Sequence, residues 1–154
     1  MAPNSIWMEE NSLIPSADIL ILAGDITHLH EDWFREPYFD TLSSQFKKVY
    51  MIAGNHEFYR YSFDIEGLFP SMKIQVRKNI VYLNNQVIKQ GNVRLLFTTL
   101  FTHITNHKFI DPRMNDFRVS KYKDERFSTH EYNECHALCL AFLKTALAKP
   151  FEGK

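Results

Sequence analysis

Residues 48–57 read KVYMIAGNHE, a short apolar run that ends in Gly-Asn-His-Glu. The part from Lys48 to Ala53 has the length and composition of a buried strand, and so does ADILILA, from Ala17 to Ala23. Between them, Glu31 to Phe46 carries aromatic and aliphatic residues at a roughly helical spacing, although Pro37 interrupts it. A strand, helix, strand order with short apolar strands predicts a right-handed crossover. We therefore expect an α/β fold in which the two strands are adjacent and parallel.

Short strand-like runs in the middle of the chain predict an antiparallel region. Asn79 to Leu83 and Gln86 to Lys89 are separated by Asn84-Asn85, two residues that tolerate the left-handed backbone of a tight hairpin turn. Gln90-Gly91-Asn92 is a second predicted turn, Val93 to Leu100 follows as a further strand, and residues 101–127 are polar and irregular. We expect these strands to pair antiparallel.

The C-terminal part predicts one long helix. Ser128 and Glu131 have the spacing of a capping box, which opens a helix that we expect to run to about residue 148. Cys135 and Cys139 lie on its apolar face, so we interpret them as reduced core thiols rather than a disulfide or a metal pair. Reduced thiols suit an intracellular protein.

Composition narrows the class of protein. The 154 residues are 45% hydrophobic, which suits one globular domain with a real core. Eighteen Lys and Arg balance eighteen Asp and Glu, so no basic block indicates nucleic acid as a partner, and a nuclease stays an open alternative. The first fifteen residues lack the basic start and apolar core of a signal peptide or anchor. We expect no membrane association and a cytoplasmic location.

Polar side chains follow both predicted parallel strands. Asp25 comes after the first strand, and Asn55 and His56 come after the second. Ligands bind beyond the carboxyl ends of such strands, and the two oxygen donors suit Mn, Mg, Fe or Zn, with His56 beside them to hold or deliver a proton. Each residue alone has a structural interpretation, since Asp25 could cap a helix and Asn55 could form a turn. Their occurrence together, at the ends of successive strands, favours a metal site.

These residues carry a resemblance to the calcineurin-like metallophosphoesterases. Leu20 to Asp25 looks like the Gly-Asp motif of that family, and Gly54 to Glu57 matches its Gly-Asn-His-Asp/Glu motif. Thr99 to Thr102 is similar to a Thr-Leu-Trp-Thr segment of bacterial and phage members, and Met114 to Arg118 resembles the motif that follows it. The resemblance covers residues 17–148.

The resemblance implies a four-layer αββα sandwich and the hydrolysis of a phosphoester whose identity is open. By that resemblance, Asp25 bridges two divalent ions (Mn, Fe, Zn or Mg), and Asn55 binds the second ion. His56 stabilises the reacting phosphoryl group and protonates the leaving alkoxide, while Glu57 lies behind the ligands and orients His56. A bridging hydroxide attacks phosphorus in line.

The chain also departs from the family pattern. No Asp-x-His precedes Asp25, and the sequence contains no Gly-His, so the metal motifs before and after the two matched ones are absent. We therefore expect one incomplete domain over residues 1–154, with an irregular segment at 1–16, weak metal binding and little or no activity. His28 and His30 are candidate substitute ligands. The alternatives are an inactive remnant or a binding module, and self-association through exposed sheet edges is expected in either case.

Overall fold

The computed structural model describes residues 13–29, 33–60, 62–63 and 71–153. Within these ranges the elements are nine strands and four α-helices, with short 3-10 turns at Trp33–Arg35 and His56–Phe58. The strands are β1 (Ile19–Leu22), β2 (Lys48–Met51), β3 (Ser62–Phe63), β4 (Met72–Arg77), β5 (Ile80–Asn84), β6 (Gln86–Gln90), β7 (Val93–Phe97), β8 (Lys121–Tyr122) and β9 (Glu125–Arg126). The helices are α1 (Pro37–Gln45), α2 (His107–Ile110), α3 (Asp116–Val119) and α4 (Thr129–Ala148). Of the predicted irregular segment 1–16, residues 1–12 lie outside the described ranges, and 13–16 have no regular secondary structure.

The main sheet has four strands in the order β1-β2-β5-β4. β1 and β2 are parallel neighbours, with Ile19 opposite Lys48 and Leu22 opposite Met51, which confirms the predicted parallel pair. β5 is also parallel to β2, and β4 closes the sheet antiparallel to β5. Among the described strands β1 and β4 lie at the edges, and self-association through these edges stays a prediction.

The predicted hairpin at Asn84-Asn85 is wrong. β5 pairs with β2 and β4, whereas β6 leaves this sheet and pairs antiparallel with β7 in a separate two-stranded sheet. All five residues of β5 are buried, and such a strand is stable in the interior of a sheet. The left-handed backbone of Asn85, with φ of 50°, redirects the chain. The hairpin of β6 and β7 turns at Gly91, whose φ is 60°, which confirms the predicted turn at residues 90–92 and the antiparallel pairing of these two strands. β4 was missed by the sequence analysis.

The helices follow their capping residues. α1 begins at Pro37. Backbone N–H groups in the first turn of a helix have no acceptor within the helix, so proline, which lacks an N–H, fits there. Pro37 therefore starts the helix that it was expected to interrupt. The capping box before α4 is confirmed, since Ser128 N–H donates to Glu131 Oε2 at 3.0 Å and His130 N–H donates to Ser128 Oγ at 3.2 Å. In the part of the chain that the structure describes, no helix is both long and apolar enough to cross a membrane.

Side chains from the two faces of the main sheet enter two cores. On one face Val49 and Met51 pack with residues of α1 and α4, and on the other Tyr50 packs with Phe97 of the β6–β7 hairpin. Cys135 and Cys139 are free thiols with no exposed surface, as predicted. Burial raises the pKa of Cys135 well above its usual range. The segment expected to be irregular, residues 101–127, supplies four buried hydrophobic residues: Phe101, Ile104, Phe117 and Phe127.

Candidate functional site

The loops that follow β1 and β2 touch each other at the carboxyl end of the sheet. Parallel pairing continues past the strands, since Ile52 N–H donates to the Leu22 carbonyl at 3.1 Å. A Cβ on Gly24 would lie 2.6 Å from the Gly54 nitrogen, and a Cβ on Gly54 would lie 2.1 Å from Asp25 Oδ1. Both separations are shorter than real Cβ contacts. A side chain at position 24 would collide with the backbone of the second loop, and one at position 54 would displace the Asp25 carboxylate. The glycines of the two motifs therefore allow the loops to meet.

Asp25 lies directly on the second loop. Its Oδ1 accepts a hydrogen bond from the backbone N–H of His56 at 3.2 Å, and its backbone has a positive φ of 58°. Few residues other than glycine adopt this conformation without cost, and aspartate is one of them. The structure thus brings Asp25 to the backbone of the Asn55-His56 segment, as the positions at the strand ends predicted. The ligand roles of Asp25 and Asn55 stay predictions.

Glu57 joins the two loops through backbone amides. Its carboxylate is 1% exposed and accepts four hydrogen bonds. Oε2 binds the N–H groups of Asp25 at 2.9 Å and Gly54 at 2.8 Å, and Oε1 binds those of Ile26 and Thr27. The resemblance implied that Glu57 orients His56, but both oxygens are directed at the backbone amides of the two loops instead. Glu57 is therefore the group that fixes the distance between the loops.

Two further residues extend the site beyond the predicted ones. Asn55 Nδ2 donates to the hydroxyl of Tyr59 at 3.1 Å, and that hydroxyl donates to Asp116 Oδ2 at 3.3 Å. The Tyr59 ring also lies against the imidazole of His56, with centroids 4.5 Å apart and planes inclined by 32°. Burial, with the nearby Asp116 carboxylate, raises the pKa of Tyr59, so the phenol keeps its proton. Asp116 belongs to the Met114–Arg118 motif, the only signal that could have pointed to it.

Three of the histidines outside the motifs make structural contacts. His28 Nδ1 lies 2.8 Å from the His56 carbonyl, which can only accept, so this nitrogen carries the proton. His136 contacts the Phe101 carbonyl, and His107 Nδ1 lies 2.6 Å from Thr129 Oγ1. His30 lies outside the described residues. Substitution of a metal ligand by His28 or His30 stays a prediction.

The donor set suits part of a metal site. Asp25 and Asn55 offer a carboxylate and an amide oxygen, which are ligands for hard divalent cations. Within the described ranges, no group of three or more His, Cys, Asp or Glu side chains is arranged to hold a metal ion. Asp25 and Asn55 therefore suit some of the ligand positions of one cation, and by themselves they are too few for a two-ion centre.

Comparison with known proteins agrees with the motifs. The family described as calcineurin-like phosphoesterase matches residues 6–139. The chain is 25% identical over 133 residues to "Uncharacterized protein L509" of Acanthamoeba polyphaga mimivirus, a match that covers 80% of the chain and 46% of that protein. The chain thus spans about half the length of this relative. No solved structure gives a significant match.

Proposed function

The chain belongs to the calcineurin-like phosphoesterase family, and from this premise we propose that it carries the Gly-Asp and Gly-Asn-His-Glu half of a metal-dependent phosphoester hydrolase site. One observation supports the proposal most directly. The two motif loops lie in contact at the ends of neighbouring parallel strands, and the Glu57 carboxylate binds amides of both. Such a rigid pair of loops suits a site that must hold oxygen ligands at a fixed separation.

Each residue has a separate part in the proposed site. Asp25 and Asn55 supply oxygen ligands to a divalent cation, which draws charge from phosphoryl oxygens when it is bound. His56 is exposed and stands beside Asp25, where its side chain is accessible to a substrate. It donates a proton to the alkoxide that leaves phosphorus, which removes the need to expel a strongly basic anion.

Hydrolysis of aryl phosphates in the presence of Mn²⁺ tests this proposal, at protein concentrations high enough to measure the weak turnover expected of a chain that carries half of the site. His56→Ala should slow turnover of phenyl phosphate by roughly a hundredfold, the usual contribution of a general acid. The same variant should slow p-nitrophenyl phosphate less, because nitrophenolate is a weaker base and leaves without a proton. Asp25→Ala should lower turnover of both substrates and weaken Mn²⁺ binding.

The matched control is His130→Ala, which removes an exposed histidine from α4. It should leave turnover and Mn²⁺ binding unchanged. If His56→Ala lowered the turnover of both aryl phosphates by the same factor, the role of His56 as proton donor would be contradicted. Mn²⁺ binding that is the same in the wild type and in Asp25→Ala would contradict the metal site.

A second candidate is a binding module that keeps the loops without turnover. The observation in its favour is the donor set, because Asp25 and Asn55 supply only part of the ligands of a two-ion centre. Binding of Mn²⁺ or inorganic phosphate at the loops, with no hydrolysis of either aryl phosphate, would favour this candidate over the hydrolase.

A further inference from the structure

We propose that Tyr59 and Asp116 are positioning residues that turn the amide oxygen of Asn55 away from Tyr59 and so make it available to a cation. The inference rests on the proposed function in that it takes the cation as the ligand of Asn55. Its structural basis is the hydrogen-bonded series Asn55 Nδ2, Tyr59 hydroxyl, Asp116 Oδ2, with separations of 3.1 and 3.3 Å.

The direction of this series follows from the chemistry of its members. A carboxylate only accepts, so the single proton of the Tyr59 hydroxyl is committed to Asp116. The hydroxyl oxygen can then only accept from Asn55, which selects the NH₂ end of the amide. The opposite orientation of the amide would place its oxygen against the Tyr59 oxygen with no proton between them. The Asn55 oxygen is therefore directed away from Tyr59.

Burial strengthens this selection. Asp116 is 5% exposed and Tyr59 is partly buried, so water competes little for these hydrogen bonds. The Tyr59 ring lies against His56 as well, with centroids 4.5 Å apart. One side chain thus contacts both the proposed metal ligand and the proposed proton donor, which couples their positions.

Two variants separate a directional role from simple packing. Tyr59→Phe keeps the ring against His56 and removes the hydroxyl, so the Asn55 amide is free to rotate. Asp116→Asn keeps the shape, but its new amide can donate to the Tyr59 hydroxyl, which then donates to the Asn55 oxygen and turns that oxygen away from the cation. Tyr50→Phe is the matched control, because Tyr50, which lies in the other core, also makes a hydrogen bond through its hydroxyl, to Gln90 of β6.

NMR of the 154-residue chain provides two measurements. Without metal, the side-chain amide signals of Asn55, assigned with Asn55→Ala, should shift in Tyr59→Phe and in Asp116→Asn but not in Tyr50→Phe. In a Mn²⁺ titration followed by paramagnetic broadening, Tyr59→Phe should raise the apparent Kd about fivefold, the factor expected for one lost hydrogen bond. Asp116→Asn should raise it at least as much.

The outcomes distinguish this inference from the proposed function. If the wild type shows no Mn²⁺ broadening near the loops, the proposed metal site fails. The Asn55 amide signals measured without metal still test whether Tyr59 and Asp116 orient that amide. Unchanged Asn55 amide signals in Tyr59→Phe would overturn the inference. So would an apparent Kd in Asp116→Asn that equals the wild-type value while Tyr59→Phe weakens binding, because the Asp116 carboxylate would then play no part in directing the Asn55 amide.

Discussion

Replacement of the Glu57 carboxylate by an amide should separate the two motif loops. Glu57→Gln has nearly the same shape, but one of its two terminal atoms is an NH₂ group that cannot accept. Two of the four backbone hydrogen bonds are then lost, and two backbone N–H groups face another donor. Hydrogen bonds to a charged group are worth about 1.5–3 kcal/mol each, so the loss is about 3–6 kcal/mol. A smaller desolvation cost for the neutral amide offsets part of it, which leaves about 2–4 kcal/mol.

Urea denaturation measures this change as a shift in the unfolding free energy. Because domains of this size are stable by about 5–15 kcal/mol, the variant should still fold but unfold at a clearly lower urea concentration. Hydrogen exchange should accelerate at the amides of Asp25, Ile26, Thr27 and Gly54. The control is Glu125→Gln on the exposed strand β9, with an expected change within about 0.5 kcal/mol. A loss below about 1 kcal/mol for Glu57→Gln, with unchanged exchange at those amides, would refute the role of Glu57 in holding the two loops together.

Three further changes have defined outcomes. Gly54→Ala places a Cβ 2.1 Å from Asp25 Oδ1. It should lower the unfolding free energy measured in urea by about 1–3 kcal/mol and weaken Mn²⁺ binding. The control Gly91→Ala, at a position with open space around it, should leave Mn²⁺ binding unchanged. Ser128→Ala removes the helix cap and should cost about 1 kcal/mol in the same assay; no loss would contradict the role of the cap. Because the pKa of Cys135 is raised in the folded state, its thiol ionises at a lower pH in the unfolded chain. The unfolding free energy is therefore unaffected by this thiol below about pH 9 and should fall as the pH rises further. In Cys135→Ala that fall should be shallower, by up to about 1.4 kcal/mol per pH unit. An identical slope in both proteins would contradict burial of that thiol.

The sequence by itself determined the features that depend on neighbouring residues. Apolar runs of strand length predicted β1 and β2, and the crossover between them predicted their parallel pairing, because handedness and chain length leave few other arrangements. The capping box predicted the start of α4, since Ser128 and Glu131 contact groups within three residues of themselves. The Gly-Asp and Gly-Asn-His-Glu motifs indicated the candidate site for the same reason, as each is a short segment at a strand end.

Only the tertiary structure decided the contacts between distant segments. Asn84-Asn85 has the composition of a hairpin turn, yet burial of all of β5 between β2 and β4 outweighs that local preference. Glu57 binds backbone amides about thirty residues away, and Tyr59 meets Asp116 across a separation of 57 residues. Backbone amides have no sequence signature, and a polar side chain carries no mark of its distant partner. These contacts exist because folding buries the polar groups together, where each must find a hydrogen bond.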